Sequence, residues 1–526
     1  MEASWFERVR GFKSPIRVVA AFLLRSRETQ AKNCEERQRE VDDLRQQLEA
    51  QRAVAARLRQ QNAELQQQVR QCEAEREEWV NRKYELPPDP PVGTHGFGPR
   101  MISLAVNLAQ RVGLRGAQAV LQIVGDWLGI SQPVPCWTSI RLWLQRLGVA
   151  ALTQPVERAE DWIWLADHSN QIGPEKALVV LGIRASQLPA RGETLKHADV
   201  RLLAMQPGTS WKQADVAAAL TKLAAQHGPP RSVVADGASE LQEGAESLKA
   251  LRADTIVQRD FKHQAANAFK SLIGKSARFL EFNTLVGQTR SAIQQTELAH
   301  LVPPAIRQKA RFMNLQAVLR WAACMLWLLD QPDAQSRQLF TRERLEEKLG
   351  WLRRFAPEIA QWNDCQRAIS TSLTFINQQG LRHGAAEQLR TALATDSTSD
   401  STSDSTSDTA RELSARLINF VSAAESQLQP DEHLWLSTEI LESTFALYKQ
   451  LERQHSKGGF TSLLAAFGGL LKTTTPEIVR EAFSRVSVQD VKHWVRSNVP
   501  TTLQSKRIAT YNEFKKKRAT TCPTAT

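Results

Sequence analysis

Asp167 closes the apolar run Trp162-Ile-Trp-Leu-Ala166, and Asp236 closes a second, Ser232-Val-Val-Ala235, with Gly237 behind it. A carboxylate at the end of a strand projects from a rigid element into a cleft, which suits a hard divalent cation such as Mg²⁺. Two such ions can activate water or a 3′-hydroxyl on one side of a phosphate and stabilise the leaving oxygen on the other. A third carboxylate, carried by a helix, usually completes the set. Taken singly, each aspartate is more often a turn residue or a helix cap. Asp260 follows a further short apolar segment and suits an N-cap as well as a functional acid. His263, one turn on, suits a contact to a phosphate or an ordinary surface position. His168 falls on the opposite strand face from Asp167 and is not nominated.

The elements that would hold these residues are an aromatic and β-branched strand over 162–166 and a second over 177–183, joined across Gly173-Pro174 as a hairpin. A third strand over 200–205, an Ala-rich helix over 211–226 and short strands at 232–235 and 255–258 follow. This order is mixed α and β, not a uniform βαβ alternation. From 263 to about 429 the chain reads as helix, with Trp321, Trp327, Trp351 and Trp362 spread along it. These tryptophans suit stacking on unpaired bases, although tryptophan on a helix is more often core. The stretch 395–409, built on a repeated Ser-Thr-Ser-Asp, has no apolar face to bury and reads as a disordered, solvated loop. A helix over 437–453 follows, and the region 476–526 reads as helices and a basic tail ending in Lys515-Lys-Lys-Arg518.

Ahead of the strands, 31–85 is nearly free of Gly and Pro. A heptad seam runs from Val41 through Leu44, Leu48, Leu58, Asn62, Leu65 and Val69 to Trp79. The spacing predicts a coiled coil within an N-terminal helical region 1–85, and Asn62 at an a position favours a parallel two-stranded pair. A single long helix packed on the rest of the protein is the alternative. The proline-rich 86–99 makes a linker. Three short helices over 100–155 resemble a helix-turn-helix, with Arg141, Gln145 and Arg146 on the helix that would read base edges. Three short helices also occur in any all-α domain.

The chain has 526 residues with 68 Lys+Arg against 56 Asp+Glu, a formal charge of +12, which suggests a polyanionic partner. No apolar run is long enough for a membrane span, and the start lacks a signal-peptide cleavage site. The six cysteines (34, 72, 136, 324, 365 and 522) form no C-x-x-C pair, which fits a reducing compartment and argues against structural zinc.

Four segments resemble the DDE transposases of bacterial insertion sequences. Trp162-Ile-Trp-Leu-Ala-Asp-His-Ser169 is similar to the first-strand motif, and Val233-Val-Ala-Asp-Gly-Ala238 to the second. Asp260-Phe-Lys-His263 resembles a block that follows the next strand in several such families. Ser437-Thr-Glu-Ile-Leu-Glu-Ser-Thr-Phe-Ala-Leu-Tyr-Lys449 resembles the helix that carries the glutamate. The resemblance covers roughly 160–262 and 431–470. It implies an RNase H-like mixed-sheet catalytic domain in two parts, 160–262 and 431–475, separated by a helical insertion over 263–430. It also implies Asp167, Asp236 and Glu442 as catalytic metal ligands for two Mg²⁺ or Mn²⁺ ions, with Lys449 and His263 contacting DNA. Glu439, one turn before Glu442 on nearly the same face, is the rival third ligand. Trp435 and Thr438 depart from the tyrosine and arginine of one subfamily's signature.

The expectation is therefore an α+β multidomain DNA transposase, bacterial, cytoplasmic and nucleoid-associated. It would bind element ends and target DNA as a homodimer or higher homo-oligomer through 41–79. The alternatives are an inactive transposase-derived DNA-binding regulator and a coiled-coil scaffold associated with DNA.

Overall fold

The computed structural model describes residues 16–81, 88–92, 96–129, 133–172, 175–305, 315–331, 340–399, 407–455, 461–499 and 503–521. The chain forms two units, Met1–Pro88 and Asp89–Thr526. The first holds one helix, α1 (Ile16–Asn81), of 66 residues. Its heptad positions face solvent: Val41, Leu44, Leu48, Leu58, Leu65 and Val69 are each 42–58% exposed. Among the described residues no helix is long and apolar enough to cross a membrane.

The second unit begins with α2 (Pro99–Val112), α3 (Leu114–Leu128) and α4 (Trp137–Thr153). The sheet elements follow as β1 (Trp162–Ile172), β2 (Glu175–Arg184), β3 (Arg201–Thr209), α5 (Gln213–His227), β4 (Ser232–Ala235), α6 (Ser239–Glu246) and β5 (Ile256–Arg259). The helical block comprises α7 (Phe261–Phe269), α8 (Ala277–Ile293), α9 (Leu315–Asp330), α10 (Arg342–Leu349), α11 (Ala356–Gln379), α12 (Ala385–Ser399) and α13 (Asp408–Glu425). The chain closes with α14 (Glu439–His455), a 3₁₀ stretch at Ser462–Leu470, α15 (Pro476–Arg485), α16 (Val488–Asn498) and α17 (Leu503–Thr521).

The five strands lie in the order β3-β2-β1-β4-β5. The hairpin makes β1 antiparallel to β2, and β2 is antiparallel to β3, whereas β4 and β5 run parallel to β1 through crossovers. Alternation along β1 explains why both faces are covered. Trp162, Trp164 and Ala166 meet α5 and α6 on one face, and Ile163 and Leu165 join the larger core that includes the helical block on the other. Asp167 follows the parity of Ile163 and Leu165 and so lies on the face of the larger core.

Three expectations need correction. Strand β1 runs on to Ile172, so Asp167 sits inside it, opposite Val179 of β2, and not at its end. The segment 100–155 does not stand apart as a DNA-reading domain. Residues 143–150 of α4 are all buried, and a helix enclosed on every side is a core helix. Besides α2 and α3, it packs against the 3₁₀ stretch at Ser462–Leu470, β3, α15 and α16. Thirdly, 395–399 and 408–409 belong to helices α12 and α13, so the expected loop shortens, and its 400–406 portion lies outside the described residues. The hairpin turn 173–174, parts of the linker 86–99 and Cys522 also lie outside them.

Gly148 permits the tight crossing of α4 with the 3₁₀ stretch. A Cβ there would sit 2.0 Å from the Ala465 carbonyl oxygen and 2.8 Å from the Ala466 backbone. Neither atom can swing away as a side chain would. Gly148→Ala should therefore destabilise the second unit by about 1–3 kcal/mol, the usual cost of overpacking. Urea denaturation followed by tryptophan fluorescence measures it, and an unchanged midpoint would show that the helix pair slides apart freely.

Candidate active site

The parallel register brings three carboxylates into one row. Ala166 of β1 pairs with Ala235 of β4, and Ala235 pairs with Arg259 of β5. The next residue on each strand path is an aspartate: Asp167, Asp236 and Asp260. Parallel pairing places the three at one level across the sheet, so the row is a product of register.

Each aspartate has a different environment. Asp260 is fully buried and caps α7. One carboxylate oxygen accepts from the His263 backbone N–H at 2.9 Å and lies 2.7 Å from His263 Nδ1. The other accepts from the Thr438 backbone N–H at 2.7 Å. Burial alone would raise its pKa, but the imidazole and the two N–H groups outweigh burial and hold the carboxyl below its ordinary value. Asp236 accepts from the Gly237 N–H at 2.5 Å and lies 3.5 Å from His263 Nε2. Asp167 accepts from the His168 N–H at 2.6 Å. Loss of water and then repulsion from Asp236 and Glu442 push Asp167 up to about 7, against the pull of that N–H and of His263.

Helix α14 brings Glu439 and Glu442 to this row, carried by its predecessor segment. Arg231, at the start of β4, grips Glu432 with two hydrogen bonds of 2.6 and 2.8 Å. Leu434 bridges to Leu381 just beyond α11. There Gly380 adopts a positive φ of 62°, and a Cβ would meet His433 Nε2 at 2.3 Å. The Phe261 N–H then donates to the Leu436 carbonyl at 3.0 Å, and Asp260 holds Thr438 one residue before α14.

Two cations from α7 face the acids. Lys262 donates to Glu442 at 2.6 Å and lies 3.3 Å from Glu439. Burial disfavours its charge, yet the bond to Glu442 and the charge of both glutamates raise its pKa above the ordinary lysine value. Burial likewise opposes charge on His263, but Asp260, Asp236 and Glu442 raise it to about 9, so it is an imidazolium at neutral pH. Glu439 turns its other oxygen to Asn377 of α11 at 2.5 Å. Among the described residues no three His, Cys, Asp or Glu side chains form a ready-made metal cage. The acids are instead shared out among Lys262, His263 and backbone N–H groups.

The remaining nominated residues fall elsewhere. His168 lies on the far face near Trp211 and Glu240, and burial followed by Lys176 pushes it down to about 4, so it is neutral. Lys449 is exposed two turns beyond Glu442. Gln145 and Arg146, expected to read bases, are buried and spent internally. Gln145 donates to the Ser462 carbonyl at 2.7 Å, and Arg146 to the Val486 and Phe483 carbonyls at 2.8 and 3.0 Å. Arg141 stays near the surface, its guanidinium 5.6 Å from the Trp137 ring centre. Of the insertion tryptophans, Trp362 packs against Phe279 and Phe282, and Trp321 and Trp351 bond Leu301 and Thr289. Trp327 is exposed.

Local spacing does not reveal Lys262, Arg231 or the bond from Asp260 to Thr438 as parts of the site. A lysine beside the Asp260 cap is the one local signal for the first. The other two depend on partners roughly two hundred residues away and leave no trace in the sequence around them.

No family model matches this chain, and no curated protein matches it. Among solved structures, a chain described as "Drosophila P element transposase strand transfer complex" is similar over 74% of this chain and 94% of its own, at 10% identity and a TM-score of 0.36. A likeness at so low a score carries no argument about this chain.

Asp167 gives a pH signature. Its folded pKa of about 7 lies above the unfolded value of about 4, so the folded state keeps a proton that the unfolded chain loses between those limits. Its contribution to stability is full below about pH 4 and is lost as pH rises through about 7. Asp167→Asn should gain on the order of 2 kcal/mol at pH 8, after allowance for partial solvent screening, and almost nothing at pH 4. Melting temperatures at the two pH values measure it; an equal shift at both would remove the raised pKa.

Proposed function

We propose that this chain is a DNA transposase in which Asp167, Asp236 and Glu442 form the catalytic set on an RNase H-like sheet. The observation that carries the reading is the placement of Asp167 and Asp236 side by side on parallel in-register strands, with the charge of Glu442 reaching Asp167. Strand order β3-β2-β1-β4-β5, with the first three strands antiparallel, supports the RNase H-like description. The helical block between β5 and α14 supports an insertion. Glu442 is favoured over Glu439 because its charge is felt at Asp167 and His263, whereas Glu439 turns one oxygen away to Asn377 of α11.

The donor set fits a hard divalent cation: three carboxylates on rigid elements, one of them with a pKa raised by burial and by uncompensated negative charge. Mg²⁺ or Mn²⁺ held by these residues would supply an activated water and neutralise charge on the scissile phosphate. The chain's own groups do the rest. Asp260 fixes the start of α14 and so the reach of Glu442. His263, charged and bonded to Asp260, offers its Nε2 proton toward Asp236 or a phosphate oxygen. Lys262 must release Glu442 for that carboxylate to act as a ligand, and its ammonium is then free for phosphate. That same Lys262–Glu442 bond favours a second reading, a transposase-derived DNA-binding protein without chemistry.

The exposed seam of α1 supports self-association, since six large apolar side chains on one helix gain by pairing with a second copy. Leu58→Glu with Leu65→Glu should lower the mass found by light scattering to that of one chain. An unchanged mass would assign the seam another role.

The chemistry is tested with supercoiled plasmid and with duplexes carrying the DNA that flanks the coding region. The wild type should nick them with Mg²⁺ or Mn²⁺ and not with EDTA. Asp167→Asn, Asp236→Asn and Glu442→Gln should each lower the rate by at least a hundredfold, and Glu439→Gln by much less. A Glu442→Gln protein of normal activity would sink the assignment, and a wild type inert with both metals would favour the second reading.

A further inference from the structure

The helices α4 and α16 leave an open groove between them of about 480 Å³. Leu142 of α4 and Val491 and Val495 of α16 give it an apolar part. Its charged lining is entirely cationic: Arg141 from α4, and Lys492 and Arg496 from α16. Thr138 and Ser139 add hydroxyls along the same edge. Arg115 of α3 extends the strip, since it and Arg141 both lie over Trp137, at 5.2 and 5.6 Å from the ring centre.

Several arginines of the helical block are spent on ion pairs. Arg278, Arg344 and Arg353 of the helical block are tied to Glu358, Glu297 and Asp330. Among the described residues no carboxylate lies within ion-pair distance of Arg115, Lys492 or Arg496. The nearest acid in sequence, Asp490, is turned to the Ser487 N–H and hydroxyl as the cap of α16, each at 2.7 Å. Lys492 and Arg496 are one turn apart, about 6 Å along the helix. Charges from three helices strung along a strip match a line of phosphates better than a single anion.

We infer that the α4–α16 groove docks the phosphodiester backbone of duplex DNA, without reading its sequence. This rests on the reading of the chain as a protein acting on DNA. It places the DNA contact on Arg141 with Lys492, Arg496 and Arg115, and not on the buried Gln145 and Arg146.

The test uses the full chain and a fluorescent 30-base-pair duplex of arbitrary sequence, in EDTA so that no cutting intervenes, across a range of KCl. Lys492→Glu with Arg496→Glu should weaken binding at least tenfold at fixed salt. Removal of two phosphate contacts should also lower the slope of log affinity against log salt by about 2. Lys492→Ala with Arg496→Ala should give the same loss of slope with an unchanged melting temperature, which keeps the result separate from misfolding. Lys222→Glu with Lys275→Glu, an equal charge change outside the groove, should have much smaller effects. Unchanged affinity and slope in the groove variants, or equal losses in the control pair, would overturn the inference. So would polyglutamate binding as tightly as the duplex and being lost in the same variants, which would assign the groove to an acidic peptide. Wild-type binding without metal-dependent nicking would keep the groove and remove the proposed chemistry; nicking with groove variants of normal affinity would do the reverse.

Discussion

The hydrogen bonds of one buried carboxylate hold the site together. Asp260 stands at the end of β5, where one oxygen closes the first turn of α7 and the other takes the Thr438 N–H across 178 residues of chain. A buried charge with no partner is costly, whereas one held by three hydrogen bonds is a rigid fixture. Arg231 plays the matching part at the opposite end of the strands, gripping Glu432 and the carbonyls of Gln427 and Asp254. Between these two anchors the segment leading into α14 has little freedom. The exit of the helical block towards α14 is therefore tied to the sheet at both Glu432 and Thr438.

Charge balance around the row follows from the same short helix. Asp260 orients His263, whose imidazolium bridges toward Asp236, and the neighbouring Lys262 meets the two glutamates of α14. The acids outnumber these two cations, and Asp167, buried and least compensated, shows it in its raised pKa.

Much of this architecture is legible in the sequence because it is local. The strand 232–235 agrees with the observed bounds, since a short buried run with Val233, Val234 and Ala235 between turn signals has few other uses. The exposed faces of α1 follow directly from its heptads. The aromatic run stops at 166 and makes position 167 look like a strand end, yet β1 continues through polar residues paired with β2. The fate of Arg146 and Gln145 is hidden for a different reason. A polar side chain on a helix reads as exposed unless the carbonyls that satisfy it are known, and those belong to residues more than three hundred positions later. The candidate acids are visible as motifs, but their common level across the sheet requires the register.

The crossing of α4 with Ser462–Leu470 and α15 also has consequences during synthesis. Trp143, Leu144 and Leu147 are made more than three hundred residues before Ser462–Leu470 and α15, which pack on the same helix. The strands can pair first, since their contacts span fewer residues, but one flank of α4 stays uncovered until those later residues are made. A truncated product would carry both aspartates of the sheet and an open apolar flank, without the glutamate. Glu442 and the later cover of α4 therefore both arrive after the helical block.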